Sequence, residues 1–358
     1  MRRDASSPLN PASALAGRSI LVTGHTGFKG AWLSAWLHEL GAEVIGLADA
    51  SPPSGAFDAL GVDTFVTGHT ADVRDRSAVQ TLIADAGPDV VFHLAAQPLV
   101  RASWVDPVAT FETNVMGTVN VVEAALRTPS VRSTVVITTD KVYENLNDGR
   151  MFVEDDPLGG HDPYSASKAA AELALVPYRD PVHMGLEGCP VVSARAGNVI
   201  GGGDWAADRL LPDIVRAFRD GGDVVLRRPD AVRPWQHVLD CLWGYLLLAS
   251  ATLDDEPVAD AYNFAHSSSR RSVLEVASLV ADAWGAPRTA IKIERDDSTA
   301  EAELLQLDAS RARSDLGWVP KWTVEQAIHE SVRFYRSDDP ASLGRQQLTE
   351  HMDATPID

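Results

Sequence analysis

Ser19-Ile20-Leu21-Val22-Thr23-Gly24-His25-Thr26-Gly27-Phe28-Lys29-Gly30 decides the fold. The first five residues are a short apolar, β-branched run, as expected of a buried strand. After Gly30, Leu33, Trp36, Leu37 and Leu40 recur at helical spacing, and Gly41 is a helix stop. A strand, then G-x-x-G-x-x-G, then a helix is the layout of a dinucleotide phosphate site. The glycines permit a tight turn and close backbone approach, and the helix N-terminus meets the pyrophosphate. Thr26, Phe28 and Lys29 lie inside this loop and are cofactor candidates with Gly24, Gly27 and Gly30. The alternative is a glycine-rich β–α turn that serves packing only.

Working outward, Glu43 to Leu47 is a second strand. Asp49 follows, about 20 residues past Gly30, where a carboxylate can bind the adenosine ribose of NAD, or can simply be a solvated turn residue. The next residues, Ala50 to Gly55, are loop-like, and no arginine follows directly, which favours NAD over NADP. Asp72-Val73 ends a further segment and can flank an adenine. Val90 to His93 is a buried strand that breaks into Leu94-Ala95-Ala96-Gln97, small enough for a cofactor to lie against the backbone. Asn114, in a helical stretch from Val108 to Leu126, is either a buried bracing amide or a surface residue. Strands alternating with helices specify a right-handed α/β fold, a Rossmann-like doubly wound parallel sheet.

A second constellation runs from Thr138 to Lys168. Thr138-Thr139-Asp140-Lys141-Val142-Tyr143 follows an apolar strand, Val131 to Ile137, at the sheet end where ligands bind. Asp162 is a good N-cap and Pro163 suits a first helical position, so Tyr164 and Lys168 fall one turn apart on one helix face. A phenol with a pKa of about 10 is a poor base at neutral pH. A lysine ammonium one turn away, near an oxidised nicotinamide, favours the phenolate and brings Tyr164 toward working range, the chemistry of taking an alcohol proton while hydride leaves the same carbon.

The chain has 358 residues, 45% hydrophobic and 23% charged, room for a large core or two domains. No apolar run approaches the roughly 18 residues needed to span a membrane. Residues 1–17 read as a disordered lead-in without a signal-peptide h-region. Cys189 and Cys241 show no ligand spacing, so a cytoplasmic, disulfide-free, metal-free protein is expected. A net charge of −19 argues against nucleic acid or an anionic membrane as partner. A phosphate-bearing ligand would then need local positive charge. Past the loop Gly197 to Trp205 come Arg209, Arg216, Arg219, Arg227, Arg228 and Arg233. Arg216 and Arg219 fit an exposed helix face, whereas Arg209 and Arg233, near Trp205 and Trp235, are better phosphate clamps.

Helices are expected over His237 to Ser250, Ser272 to Trp284, Leu304 to Trp318 and Thr323 to Tyr335, with a strand at Ala261 to Phe264. The expected division is 18–200, returning at about 234–266, for cofactor, and 201–233 with 267–335 for a smaller C-terminal α/β substrate-binding domain. A loosely held polar tail covers 336–358.

Taken together, Gly24 to Gly30, His93 to Arg101, Thr113 to Thr118, Thr139-Asp140-Lys141, Asp162 to Lys168, Arg195 to Trp205 and Arg233 to Val238 resemble the extended short-chain dehydrogenase/reductase superfamily. Within it, the Phe28-Lys29 pair, the Gly201 to Trp205 run and Arg233-Pro-Trp-Gln-His237 resemble the CDP-glucose 4,6-dehydratase branch. The resemblance implies NAD as cofactor, a nucleotide-sugar substrate (CDP-glucose for this branch) and a homodimer paired through helices around Asn114 and Tyr164. It implies that Thr139 and Tyr164 hold the sugar C4 hydroxyl while NAD takes hydride. Asp140 then protonates the departing C6 hydroxyl and Lys141 removes the C5 proton, before hydride returns to C6. For this Asp140 must carry its proton and Lys141 must lack one, states that burial favours. It further implies that Arg101, Asn198, Arg209 and Arg233 contact the substrate, the last three at its pyrophosphate. Val142, where the branch often has Cys, departs from the pattern, and the Asp49 region matches poorly. An NAD-dependent C4 epimerase and a non-catalytic NAD-binding scaffold are the alternatives.

Overall fold

The structure, a computed structural model, describes residues 9–49, 55–146, 148–185, 188–266, 270–295 and 305–357. Seven strands form one parallel sheet in the order Ala261–Asn263, Val191–Arg195, Ser133–Ile137, Val90–His93, Ser19–Thr23, Glu43–Ala48 and Thr67–Thr70. The chain starts in the middle, winds to one edge, and returns past the start to the other. The switch point therefore lies between Ser19–Thr23 and Val90–His93, where a dinucleotide crevice opens at the carboxyl ends of the strands. The central strands are buried on both faces, which is why Ile20 to Val22 and Val90 to Phe92 read as continuous apolar runs instead of alternating.

The helix Phe28–Glu39 follows the glycine loop. Every residue from Gly30 to Leu37 is buried, so it is apolar all round and packs as a core element. Trp36 stacks on Trp243 of the helix Val238–Leu253, with centroids 5.9 Å apart, and Trp32 donates to Gly202 O at 2.9 Å. A second core gathers Leu211, Ile214, Val215 and Phe218 of the helix Leu210–Arg219 with Val276 and Val280 of Val273–Trp284 and Ile328 and Val332 of Val324–Tyr335.

Four expectations change. The tail is not loose: Asp339 caps a helix, Pro340–Asp353, whose Leu348, Gln347 and His351 are buried, and His351 meets Asp240 at 2.9 Å. Composition hid this, although Asp-Pro at its start is a helix signal. In the lead-in, Asn10 caps the helix Pro11–Leu15 and Leu15 enters the core, while residues 1–8 lie outside the described residues. The stretch from Leu304 to Trp318 is extended at Leu307, which bridges to Phe152, and becomes helical only over Ser310–Leu316, where Asp308 caps Ser310 N at 2.7 Å. Leu304 itself and Ala50 to Ser54 of the loop after Asp49 lie outside the described residues. Finally, Val108 to Leu126 is not one regular helix: Pro107–Phe111 and Gly117–Leu126 are joined by a π-helical turn, Glu112–Met116, carrying Asn114.

Candidate active site

At the switch point Gly24 adopts φ +70°, and its N–H donates to Leu47 O at 2.6 Å. A methyl group there would lie 2.8 Å from Ala95 N, and one on Gly30 would overlap the Gly24 carbonyl. Gly27 is the N-cap of Phe28–Glu39, and no side chain caps that helix end. This cradle, too tight for any Cβ and with the helix N–H groups uncapped, fits a pyrophosphate. Thr26 is buried, and Phe28 and Lys29 are half-buried in the first turn, with Lys29 Nζ 3.5 Å from Tyr245 Oη.

Asp49 is exposed one residue past its strand. Arg74 faces it from the Asp72 loop, an arginine that sequence spacing did not reveal. Arg74 donates to Asp72 at 2.6 Å, holding that carboxyl below the usual range, and Val73 is buried with its carbonyl accepting from Asn120 at 3.0 Å. Leu94 N and Ala95 N both donate to Thr23 Oγ1 at 3.1 Å, and Ala96 follows half-buried. Gln97 spends its side chain on Leu99 and Thr110. Asn114 accepts from Gln97 N at 2.8 Å and donates to Gln97 O and Ser167 Oγ, so among its two readings the buried brace is the one observed. The π-helical turn turns this amide inward.

The strand Ser133–Ile137 ends at the other half of the site. Thr139 caps a single turn, Asp140–Val142, and its hydroxyl donates to Asp140 Oδ1 at 2.9 Å. Asp140 is 4% exposed and Lys141 is half-buried. Gly197 makes room for that carboxylate: any Cβ there would overlap it. Asp162 accepts from Ser165 N at 2.9 Å and starts the helix Pro163–Arg179, as its sequence dictates. Tyr164 and Lys168 are both buried on its inner face, and Tyr164 is hydrogen-bonded to Thr139.

In the protein alone, burial sets the electrostatics. Burial pushes the Tyr164 phenol up to about 12, opposed chiefly by the Thr139 hydrogen bond and, more weakly, by the Arg209 charge. Burial lowers Lys168 to about 8, Lys29 adds to this, and Glu172 opposes it. Lys168 Nζ donates to Ile137 O at 3.1 Å. Desolvation, which spacing cannot report, outweighs the charge effect anticipated for this pair. Beneath it His93, bridging Thr23 Oγ1 at 2.8 Å and Thr118 Oγ1 at 3.0 Å, is driven down to about 3 by burial and stays neutral.

Of the predicted arginines, Arg209 is near enough for its charge to act on Tyr164. Arg209 pairs with Asp204 at 2.8 Å and Arg101 with Asp208 at 2.8 Å. Asn198 takes φ +49° in the loop after Ala196, and Arg233 is half-buried in Val232–Pro234. Arg216 is less exposed than an open helix face allows, donating to Trp205 O at 3.0 Å, while Arg219 lies over the Trp205 ring. Sequence reasoning assigned no role to Glu172, Arg195 or Gly197, although the last two lie in the run Arg195 to Trp205 that carries the resemblance. Glu172 left a signal of its own, being one further turn along the Tyr164–Lys168 face.

A family model described as GDP-mannose 4,6 dehydratase matches residues 21–331. The chain belongs to this family. It is similar to a CDP-glucose 4,6-dehydratase of Salmonella typhimurium, 38% identical over 95% of this chain and 97% of that one. A dTDP-glucose 4,6-dehydratase of Streptomyces antibioticus is 29% identical over 89% of this chain and 93% of its own length. Among solved structures, the Streptomyces venezuelae dTDP-glucose 4,6-dehydratase with NAD bound superposes with a TM-score of 0.76 at 25% identity, covering 89% of this chain and 97% of that one. A Thermus thermophilus UDP-glucose 4-epimerase in complex with NAD gives 0.77 at 27% identity, over 89% and 99%. The parallel sheet and glycine cradle here make a Rossmann-like scaffold, the fold these solved structures share.

Proposed function

We propose that this protein is an NAD-dependent nucleotide-sugar 4,6-dehydratase that converts CDP-glucose to CDP-4-keto-6-deoxyglucose. Bound NAD supplies the reversible removal of hydride from the sugar. Tyr164, steadied by Thr139, takes the C4 hydroxyl proton, and Lys168 beneath it favours the resulting phenolate. Lys141 removes the C5 proton made acidic by the new ketone, and Asp140 protonates the departing C6 hydroxyl. The observation that carries this reading is the placement of a carboxyl, Asp140, one hydrogen bond from Thr139, which itself bonds the Tyr164 phenol. A C4 epimerase needs the phenol but neither the extra acid nor the extra base.

Asn198, Arg209 and Arg233 hold the substrate pyrophosphate in this reading, with Arg101 beside them, and Asp49 and Asp72 hold the adenosine half of NAD. The likeness to a CDP-glucose 4,6-dehydratase, with 38% identity, supports the cytidine nucleotide. The expected division of labour is a cofactor domain over 18–200 with returns at about 234–266, and a substrate domain over 201–233 and 267–335. The working unit is a homodimer: Trp104, Val105, Val108, Met116, Leu173 and Val176 expose an apolar face along the helices Val100–Val105 and Pro107–Phe111, the π-helical turn and Pro163–Arg179. No helix among the described residues is long and apolar enough to cross a membrane.

Incubating the protein with CDP-, dTDP-, UDP- and GDP-glucose in turn tests the reading. A 4-keto-6-deoxy product, recognised by its absorbance in alkali, is expected from CDP-glucose first. Galactose-configured products would establish the epimerase instead, and no turnover at all would favour a binding scaffold.

A further inference from the structure

Glu172 and Arg195 make a buried ion pair behind the site, each no more than 4% exposed at the side chain. The contact is bidentate, Nε to Oε1 at 2.9 Å and Nη2 to Oε2 at 3.0 Å. The remaining capacity of the carboxylate is filled by Thr138 Oγ1 at 2.6 Å and Ser193 Oγ at 2.7 Å. Arg195 Nη1 donates to Tyr143 Oη and Glu154 O, both at 2.9 Å, and Tyr143 donates onward to Asn263 Oδ1 at 2.7 Å.

A buried pair of this kind is poor evidence for stability, because desolvation offsets most of its attraction and apolar replacements of similar volume are often neutral. Its partners suggest a different use. Thr138 and Tyr143 are the residues on either side of the segment Thr139 to Val142 that holds Thr139, Asp140 and Lys141. Both ends of that segment are thus bound to one ion pair. One half of the pair, Glu172, stands on the same helix as Tyr164 and Lys168, and the other half, Arg195, ends the strand that leads to Gly197. The two groups of catalytic side chains come from different elements, and this pair is the bridge between them.

Resting on the function proposed above, we infer that Glu172 and Arg195 are positioning residues that hold the Thr139–Lys141 turn in register with the Tyr164 helix, and that the elimination step depends on them more than the oxidation step does. Oxidation at C4 relies on Tyr164 and Lys168, which stay with their own helix, and touches the turn only through the Thr139 hydroxyl. Elimination relies on Asp140 and Lys141, which the pair holds from outside.

The test mixes CDP-glucose rapidly with the holoenzyme and follows two signals: reduced nicotinamide by its absorbance, and 4-keto-6-deoxy product. Two double variants are compared with the parent. T138V/Y143F leaves the ion pair intact and cuts its two ties to the turn, together with the Tyr143–Asn263 hydrogen bond. E172L/R195M replaces the pair by apolar groups. In both, product formation is expected to fall about tenfold to a hundredfold, the scale of a displacement of about 1 Å. Reduced nicotinamide is expected to form within about threefold of the parent rate and to accumulate above the parent's level. Thermal unfolding of T138V/Y143F is recorded beside it. Equal loss of both signals in T138V/Y143F, or product formation within about twofold of the parent, overturns the inference. T138V/Y143F decides the matter even where E172L/R195M does not fold. Should the parent enzyme form no product from any nucleotide-glucose, the function itself is overturned, and the inference with it.

Discussion

At the reaction end of the cleft Tyr164, Lys168 and Glu172 are 9%, 5% and 1% exposed, and nearly every polar atom is bonded to another buried one. At the end proposed for the nucleotide the Arg209 and Arg101 side chains are 35% and 58% exposed, each paired with an aspartate. The difference separates what burial does from what charge does. In the interior, desolvation sets proton affinities and geometry is fixed by shared hydrogen bonds, so one altered atom is felt across the site. At the rim, ions exchange one carboxylate for another anion at small cost, which suits binding and release of a diphosphate.

The sharpest way to break this contrast is Tyr164→Phe. Turnover is expected to fall about a thousandfold or more, the range of a lost general base, while substrate affinity measured by calorimetry stays within about twofold. Gly197→Ala comes next: its methyl group must displace the Asp140 carboxylate, and steady-state product formation should drop about a hundredfold with the cofactor still retained.

The buried lysine makes a third prediction, in stability. Lys168 releases its proton at about 8 when folded but near its ordinary 10.5 when unfolded, so the unfolded chain binds more protons between those values. Stability therefore rises with pH across that window, by up to about tenfold in the folding constant per pH unit. Tyr164 acts oppositely from about 10 upward, since its folded phenol keeps a proton to about 12. Lys168→Met should flatten the rise between pH about 8 and 10 in urea titrations.

Rim substitutions should be gentler. Arg209→Met is expected to raise KM about tenfold with little change in kcat, the worth of one charge-assisted hydrogen bond. Arg101→Met, from an exposed ion pair, should raise it less than threefold. A large kcat effect from either would erase the contrast between rim and interior.

Much of this was legible because it is local. Gly24, Gly27 and Gly30 between an apolar strand and an apolar helix, and Asp162-Pro163 before Tyr164 and Lys168, are short-range patterns with direct physical meaning. The ion pair of Glu172 with Arg195 joins residues 23 positions apart, and neither carries a periodic signal for the other. Gly197 matters only because the turn after Ser133–Ile137 faces it across the sheet end. Arg74 approaches Asp49 from the Asp72 loop, so a search along the chain directly after Asp49 missed it. The C-terminal helix was obscured by composition, since few of its residues are apolar and its buried face includes the polar Gln347 and His351. What sequence reading lost in each case was through-space contact or burial, and burial is also what sets the proton affinities of Tyr164 and Lys168.

The most direct test follows the sugar's own hydrogens in deuterated water. With CDP-glucose deuterated at C4, the account predicts a 4-keto-6-deoxy product that carries the C4 label at C6 and solvent deuterium at C5. A product with its C6 hydroxyl intact and no solvent deuterium at C5 would contradict it, leaving Tyr164 and Lys168 to an epimerase and Asp140 and Lys141 with no reaction to perform.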